Sequence, residues 1–336
     1  MVTNRYTVHR VDDVQEINIK NLVIEANIVD AIRKLLEPNY PIDLLSIRNC
    51  DLNGNLRGIL DMVRSFQFTH GIRHIEFQHI SFGHEDFTHF ISFVRSVGTV
   101  EHISIQWCVW NNSCSDQAIA RMISVLHGTR LEGLHFDATD IGPFGSEALA
   151  DAIPHMNLKL LRLSYCNIAI RNMCKILKAV KGSNIGLLDI SGNSIGNFLG
   201  PKAVCVALQN PNLNVLHLRE CSLNSRGLGL IVPAISKSIG IKMLSLCGNT
   251  DIQFDAIANM LNAIGYHPTL KEINAVGCDR LYLTIVDFVN TRLIRWARAR
   301  RIITMLSARV VKRIGYKSYL SMLPTELFRM LFRMLK

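Results

Sequence analysis

The sequence has few charged residues and no long hydrophobic run. Charged residues make up 19% of the 336 residues and hydrophobic residues 49%, a balance that excludes intrinsic disorder. No apolar run reaches the roughly 18 uninterrupted residues that a membrane-spanning helix needs. Asp287 and Arg292 interrupt the best candidate, residues 281–294. Residues 1–13 lack the apolar segment of a secretory signal, so we expect neither secretion nor a transmembrane segment.

The cysteines lack the pattern of a disulfide framework or a zinc site. There are nine, an odd number, and no two of them form a C-x-x-C pair. Such usage is typical of reduced thiols, which persist in the cytoplasm and the nucleus. The sequence therefore predicts a cytoplasmic or nuclear protein.

The net charge of +10 is confined to one end of the chain. Residues 281–336 contain twelve Lys and Arg but only two Asp and Glu, whereas residues 1–280 contain 25 of each sign. We therefore expect a neutral body followed by a basic tail. A neutral body gives no sign of a large nucleic-acid footprint outside the tail.

One pattern of apolar residues recurs along most of the chain. Leu158, Leu161, Leu163, Cys166 and Ile168 spell L-x-x-L-x-L-x-x-C-x-I. Ten copies of this frame can be aligned, and neighbouring copies begin 27 to 31 residues apart. The copies start at residues 14, 42, 72, 100, 131, 158, 185, 213, 241 and 270. We number positions within a repeat from these starts.

Each position of the frame has a physical role. Alternation at positions four and six indicates a short strand with two side chains turned inward. Cys or Asn at position nine can bond loop backbone that water cannot reach. The remaining residues of each repeat suffice for a helix of about three turns. Residues 203–208 and 256–264 have the apolar spacing of such helices.

This frame resembles the leucine-rich repeat, and its period near 28 with Cys or Asn at position nine resembles the ribonuclease-inhibitor-like subfamily. The resemblance implies an α/β fold, a curved solenoid of about ten repeats with parallel strands on the concave side and helices on the convex side. We expect three regions: an N-terminal segment at 1–13, the repeat array at 14–280, and a basic helical region at 281–336 that caps the array.

Signals for catalysis and metal binding are weak. Residues 192–196 match the G-x-S-x-G motif of hydrolases, but Asn193 and Ile195 occupy positions nine and eleven, both inward. His84, Glu85 and His89 nearly spell H-E-x-x-H, but the second histidine comes one residue too late to share a helix face with the first. We therefore expect no enzymatic activity, no metal site and no cofactor.

Protein binding on the concave face is the favoured function. Positions five, seven and eight point outward from the strands, and there the middle repeats combine aromatic residues with charges of both signs. Aromatic residues and Arg are the types that anchor interfaces. The predicted protein-binding residues are Trp107, His135, Asp137, Arg162, Tyr165, Asp189, His217 and Arg219. We expect Trp107, Tyr165 and Arg162 at the centre of the site.

The basic tail allows two interpretations. Residues 285–306 have a helical apolar stripe, including Trp296, and arginines over much of the remaining surface. Such a helix can cap the last repeat with its arginines in water. It can instead tether the protein to nucleic acid or to an anionic membrane. We keep this tethering as the alternative function.

The last residues form a third signal. Residues 323–335 resemble the opening L-P-x-E-L helix of an F-box, which implies binding to a Skp1-like adaptor of cullin ubiquitin ligases. The matching residues are Leu323, Pro324, Glu326, Leu327, Phe328 and Leu331. One narrow polar stripe leaves the rest of this helix apolar, so it must be buried against the array or in a partner. A substrate receptor for a cullin-type ligase is the more specific hypothesis that follows.

Overall fold

The computed structural model describes residues 5–66, 71–110, 116–196, 198–264, 267–275 and 278. These residues form two compact units that meet in the sequence between Asn193 and Ser194. The predicted array contains residues of both units. Residues 281–336 lie outside the described residues, and with them the predicted basic helix and the F-box-like segment 323–335.

The strands of the first unit form a ladder that is parallel except at its start. In chain order they are β1 (Tyr6–Val11), β2 (Val14–Lys20), β3 (Ile42–Arg48), β4 (His74–Gln78), β5 (Ser81–Phe82), β6 (His102–Gln106), β7 (Val109–Trp110), β8 (Gly133–Asp137), β9 (Leu160–Ser164) and β10 (Leu187–Asp189). From β2 to β10 the main ladder is parallel, β5 and β7 form a separate parallel pair, and β1 runs antiparallel to β2. The strand β1 falls in residues 1–13, where the sequence predicted no element.

A helix follows most strands of the first unit. The helices are α1 (Ala26–Leu35), α2 (Leu56–Ser65), α3 (His84–Val97), α4 (Asp116–Leu126), α5 (Gly142–Ala152) and α6 (Ile170–Val180). Each packs against the next along the chain. Helix α6 shows why they form: its buried residues Met173, Ile176, Leu177 and Val180 recur at the spacing of one helix face.

The second unit repeats the same alternation with shorter strands. Its elements are α7 (Leu199–Ala207), β11 (Val215–His217), α8 (Ser225–Lys237), β12 (Met243–Ser245), α9 (Phe254–Ile264) and β13 (Glu272–Asn274). The three strands are parallel and pair in chain order. Helix α8 begins where the Asn224 side chain accepts a hydrogen bond from the backbone N–H of Gly227. The predicted helices at 203–208 and 256–264 correspond to α7 and α9.

The interior of both units confirms the inward positions of the frame. Apart from the short pair β5 and β7, each parallel strand begins within two residues of a predicted repeat start. All residues at positions four and six are buried, among them Leu161 and Leu163 in the first unit and Leu216 and Leu218 in the second. The fold is therefore an α/β leucine-rich-repeat coil. No helix within the described residues is long and apolar enough to cross a bilayer.

Position nine bonds the loop backbone, as predicted. The Asn249 amide donates to the carbonyls of Leu218 and Leu246, and its oxygen accepts from the backbone N–H groups of Cys221 and Leu223. The Cys166 thiol donates weaker bonds to the carbonyls of Phe136 and Ser164, near the ends of β8 and β9. Since these groups are buried, each bond replaces one that water cannot supply.

Candidate protein-binding surface

Two large aromatic side chains are exposed on the outward side of the first unit. Trp107 is 53% exposed and Tyr165 is 45% exposed. Arg162, on the strand that precedes Tyr165, is also exposed. An exposed Trp or Tyr in a folded domain is a recurring feature of protein interfaces. These are the three residues that the sequence predicted for the centre of the site.

Position eight of the repeats holds a left-handed backbone conformation. The φ angles of Trp107, Ala138 and Tyr165 are 54°, 46° and 56°. The other members of this position-eight row in the first unit are Asn21, Asn49, His79 and Gly192, and in the second unit Glu220 and Gly248. Asn and Gly tolerate this conformation, whereas a bulky side chain costs roughly 1–2 kcal/mol there. Because every described member of the row has this conformation, it belongs to the repeat fold.

Backbone hydrogen bonds hold successive members of the row side by side. Trp107 donates its backbone N–H to the carbonyl of Asp137, one residue before Ala138. Ala138 donates in the same way to Ser164, and Tyr165 to Ser191, at N···O distances of 2.8 and 2.7 Å. Ala138 therefore lies between the two aromatic residues, one strand spacing from each.

The two aromatic rings are supported on opposite sides. The Trp107 ring stacks on His79, with 5.8 Å between the ring centroids. The Tyr165 ring lies over Gly192, where a Cβ atom would come within 2.2 Å of the ring. A side chain at residue 192 would therefore displace the ring. Glycine at this position permits both the positive φ and the Tyr165 packing.

Charged residues flank the aromatic pair. Burial, followed by the nearby Asp189 carboxylate, raises the pKa of Asp137, and the Arg162 guanidinium partly offsets this effect. Burial, followed by the charges of Arg162 and of His102 when protonated, lowers the pKa of His135 to about 4. His135 is therefore neutral at pH 7. Its Nε2 atom is buried and has no hydrogen-bond partner among the described residues.

The second unit departs from the prediction at position five. His217 was expected to face solvent, but it is only 9% exposed, so that expectation is wrong. Ser245, its neighbour on the next strand, is fully buried. Arg219, a predicted binding residue at position seven, donates from Nε to the Ser245 hydroxyl and thus lies along the strand face. The long Arg219 side chain thus extends over Ser245, which an isolated strand would expose.

The G-x-S-x-G segment and the histidines that resemble a metal-binding motif belong to the structural framework. In the G-x-S-x-G segment Asn193 and Ile195 are buried, as the repeat frame predicted. His74 lies on β4, whereas His84 and His89 lie on α3, so these histidines lie on different elements. Within the described ranges no group of three or more His, Cys, Asp or Glu side chains could hold a metal ion.

Two helix cysteines are partly exposed, and two histidine rings stack on neighbouring strands. Cys174 in α6 and Cys205 in α7 are half-buried. The rings of His74 and His102 stack with 4.9 Å between their centroids. Burial, and then the nearby His74, lowers the pKa of His102.

Sequence reasoning did not identify the left-handed row, although a signal was present. Position eight is occupied by Asn21, Asn49, Gly192 and Gly248, residue types that favour positive φ. Reading this column would have predicted the conformation at Trp107 as well.

Comparisons with known proteins find partial relatives. A mouse protein named NACHT, LRR and PYD domains-containing protein 14 is 29% identical over 153 residues, which cover 44% of this chain and 15% of the relative. The human protein of that name is 26% identical over 155 residues, covering 45% of this chain and 14% of the relative. The matched residues thus span about a seventh of each relative. No known family profile matches the chain.

This chain contains a leucine-rich repeat array. The fold and the partial relatives agree on that point. Among solved structures, the yeast Rad7–Elc1 complex has a chain with a TM-score of 0.46 at 12% identity, covering 75% of this chain and 74% of that one. The TLR13–ssRNA13 complex has one with a TM-score of 0.33 at 14% identity, covering 71% of this chain and 35% of that one.

Proposed function

We propose that this repeat protein is a non-catalytic scaffold that binds a protein partner on the outward face of its strands. The observation that carries the proposal is the exposure of Trp107 and Tyr165 on the same face as the exposed Arg162. His135, Asp137 and Asp189 surround this centre, and Arg219 and His217 belong to the corresponding columns of the second unit. Buried aromatic and Arg anchors contribute most of the binding energy in many interfaces.

The experiment uses the full chain and a triple variant, Trp107→Ala, Tyr165→Ala and Arg162→Ala. Partners of both proteins are captured by crosslinking and quantified by mass spectrometry. We expect specific partners to be lost by at least about tenfold with the triple variant. A matched control is Phe144→Ala, because Phe144 is 54% exposed but lies in α5. A folded triple variant that keeps every partner at wild-type affinity overturns the proposal.

A more specific version concerns the tail. We propose that residues 323–335 bind a Skp1-like adaptor, which would make the protein a substrate receptor for a cullin-type ubiquitin ligase. The apolar face around Leu327 and Leu331 and the L-P-x-E-L pattern support this version. Leu327→Glu should abolish binding to purified Skp1 without lowering the melting temperature. A lower melting temperature with no Skp1 binding by the wild type would favour a structural cap instead.

The basic tail supports an alternative function, tethering to nucleic acid or an anionic membrane. The salt dependence of binding separates this tethering function from protein binding, because binding driven by phosphate contacts weakens steeply as the salt concentration rises. A titration with duplex DNA and with phosphatidylserine vesicles between about 50 and 200 mM salt tests it. Salt-independent or absent binding would remove the alternative.

Two further proposals rest on the sequence. The period of the repeat and the residues at position nine support membership of the ribonuclease-inhibitor-like subfamily. The cysteine usage supports a location in the cytoplasm or the nucleus, which imaging of the tagged protein would test.

A further inference from the structure

A slot lies over Ala138, between Trp107 and Tyr165. Strands in a sheet are about 4.8 Å apart, so two residues in equivalent positions on alternate strands are separated by roughly 10 Å. The residue between them has only a methyl side chain. The Trp107 ring stacks on His79 and the Tyr165 ring lies over Gly192, so each ring packs on a neighbour on the side away from Ala138. The slot therefore has two aromatic walls and a low floor.

The charge around the slot is negative. Asp137 precedes the floor residue, and the backbone N–H of Ala138 is close enough to its carboxylate to act on its pKa, which burial, the largest effect, raises. Asp189 lies close enough to Asp137 to raise that pKa further. Arg162 supplies one positive charge, and His135 supplies none at pH 7 because its pKa is about 4. Two carboxylates thus face one guanidinium.

We infer that the slot receives a cationic side chain, Arg or Lys, from the protein partner. Aromatic faces attract a cation placed over them, and a half-buried carboxylate at the floor supplies the counter-charge. An apolar guest would cover Asp137 without pairing it, which is unfavourable. The inference rests on the proposed function, since it specifies what the partner presents at the same surface.

The experiment measures directly which side chain binds in the slot, without the natural partner. End-blocked pentapeptides of the form Gly-Ser-X-Ser-Gly are titrated into the full chain labelled with ¹⁵N at tryptophan, with X as Arg, Lys, citrulline or norleucine. The three tryptophans give three indole signals, and Trp107→Phe assigns the one that matters. We expect the Arg peptide to shift the Trp107 signal saturably at millimolar concentration, and citrulline, its neutral analogue, to bind about tenfold more weakly.

Two variants test the counter-charge and the floor separately. Asp137→Asn should weaken the Arg peptide about tenfold while leaving the norleucine peptide unchanged. Ala138→Leu fills the slot and should abolish the shift. Asn49→Leu is the matched control, because Asn49 occupies position eight with φ of 51° but lies away from the slot. It should leave the titration unchanged.

The outcomes distinguish this inference from the proposed function. If norleucine binds as well as Arg, or if no peptide moves the Trp107 signal below about 20 mM, the cationic guest is wrong. Loss of the crosslinked partners in the triple variant would still support the binding surface in that case. If the triple variant keeps its partners, the proposed function fails whichever peptide binds.

Discussion

The two units have the same interior but different outward faces. Leu161 in the first and Leu216 in the second occupy position four, and both are fully buried. At position eight the first unit has Trp107 and Tyr165, whereas the second has Glu220 and Gly248. At position five, His217 and Ser245 of the second unit are buried, whereas Arg162 of the first unit is exposed.

The comparison shows that a repeat constrains its inward and outward positions differently. Inward side chains must fill the coil, so each copy requires an apolar residue of similar size. Outward side chains have no such requirement, and each unit can vary them. A functional surface is therefore expected among the outward positions, where Trp107 and Tyr165 place large exposed side chains.

The largest expected effect tests whether the interiors are equivalent. Leu161→Ala and Leu216→Ala should each lower the free energy of unfolding by about 2–5 kcal/mol, because the buried side chain leaves a void that the rigid coil cannot fill. Urea denaturation measures both. His217→Ala, next to Leu216, should cost about 1–2 kcal/mol, since His217 is buried. A loss below about 0.5 kcal/mol would mean that His217 behaves as a surface residue.

A second prediction uses pH to distinguish the outward faces. His135 has a folded-state pKa of about 4, below the roughly 6.5 expected for an unfolded chain. The unfolded state therefore binds more protons between these values, and stability should fall as pH is lowered from about 6.5 to 4. The loss is about 2–3 kcal/mol by the size of the shift.

The control for this prediction is His135→Gln, which cannot titrate. Unfolding free energies of both proteins, measured by urea denaturation at several pH values, should diverge in the window from about 6.5 to 4. Their difference removes the contribution of His102, whose pKa is also lowered, mainly by burial and then by His74. Parallel pH profiles would show that His135 is not desolvated in the folded protein.

The smallest expected effect compares two glycines of the position-eight row. Gly192→Ala should cost about 1–2 kcal/mol, because it adds a Cβ at φ of 70° and displaces the Tyr165 ring. Gly248→Ala has nearly the same φ, but its Cβ meets the flexible Glu220 side chain, so it should cost only about 1 kcal/mol. Thermal denaturation measures the difference. Equal costs would mean that Tyr165 does not depend on Gly192 for its position.

Most of the fold could be predicted because repetition averages out local ambiguity. Every inward residue of the Leu158 copy, including Cys166, was identified from spacing alone and is buried. The candidate site was predicted in part: Trp107 and Tyr165 are exposed as expected, whereas His217 is not. The role of residues 281–336 remains a prediction, since those residues lie outside the described ranges. The total number of repeats also remains a prediction.

The sequence by itself determined the repeat frame, the α/β class and the inward residues. The physical reason is that a strand and helix recurring every 28 residues or so can bury their apolar faces only against the next copy. The tertiary structure alone decided which outward side chains reach solvent and which neighbours they pack on. Those properties depend on neighbours about one repeat away, such as Gly192 beneath Tyr165 or Arg219 over Ser245, and on the lengths and rotamers of their side chains.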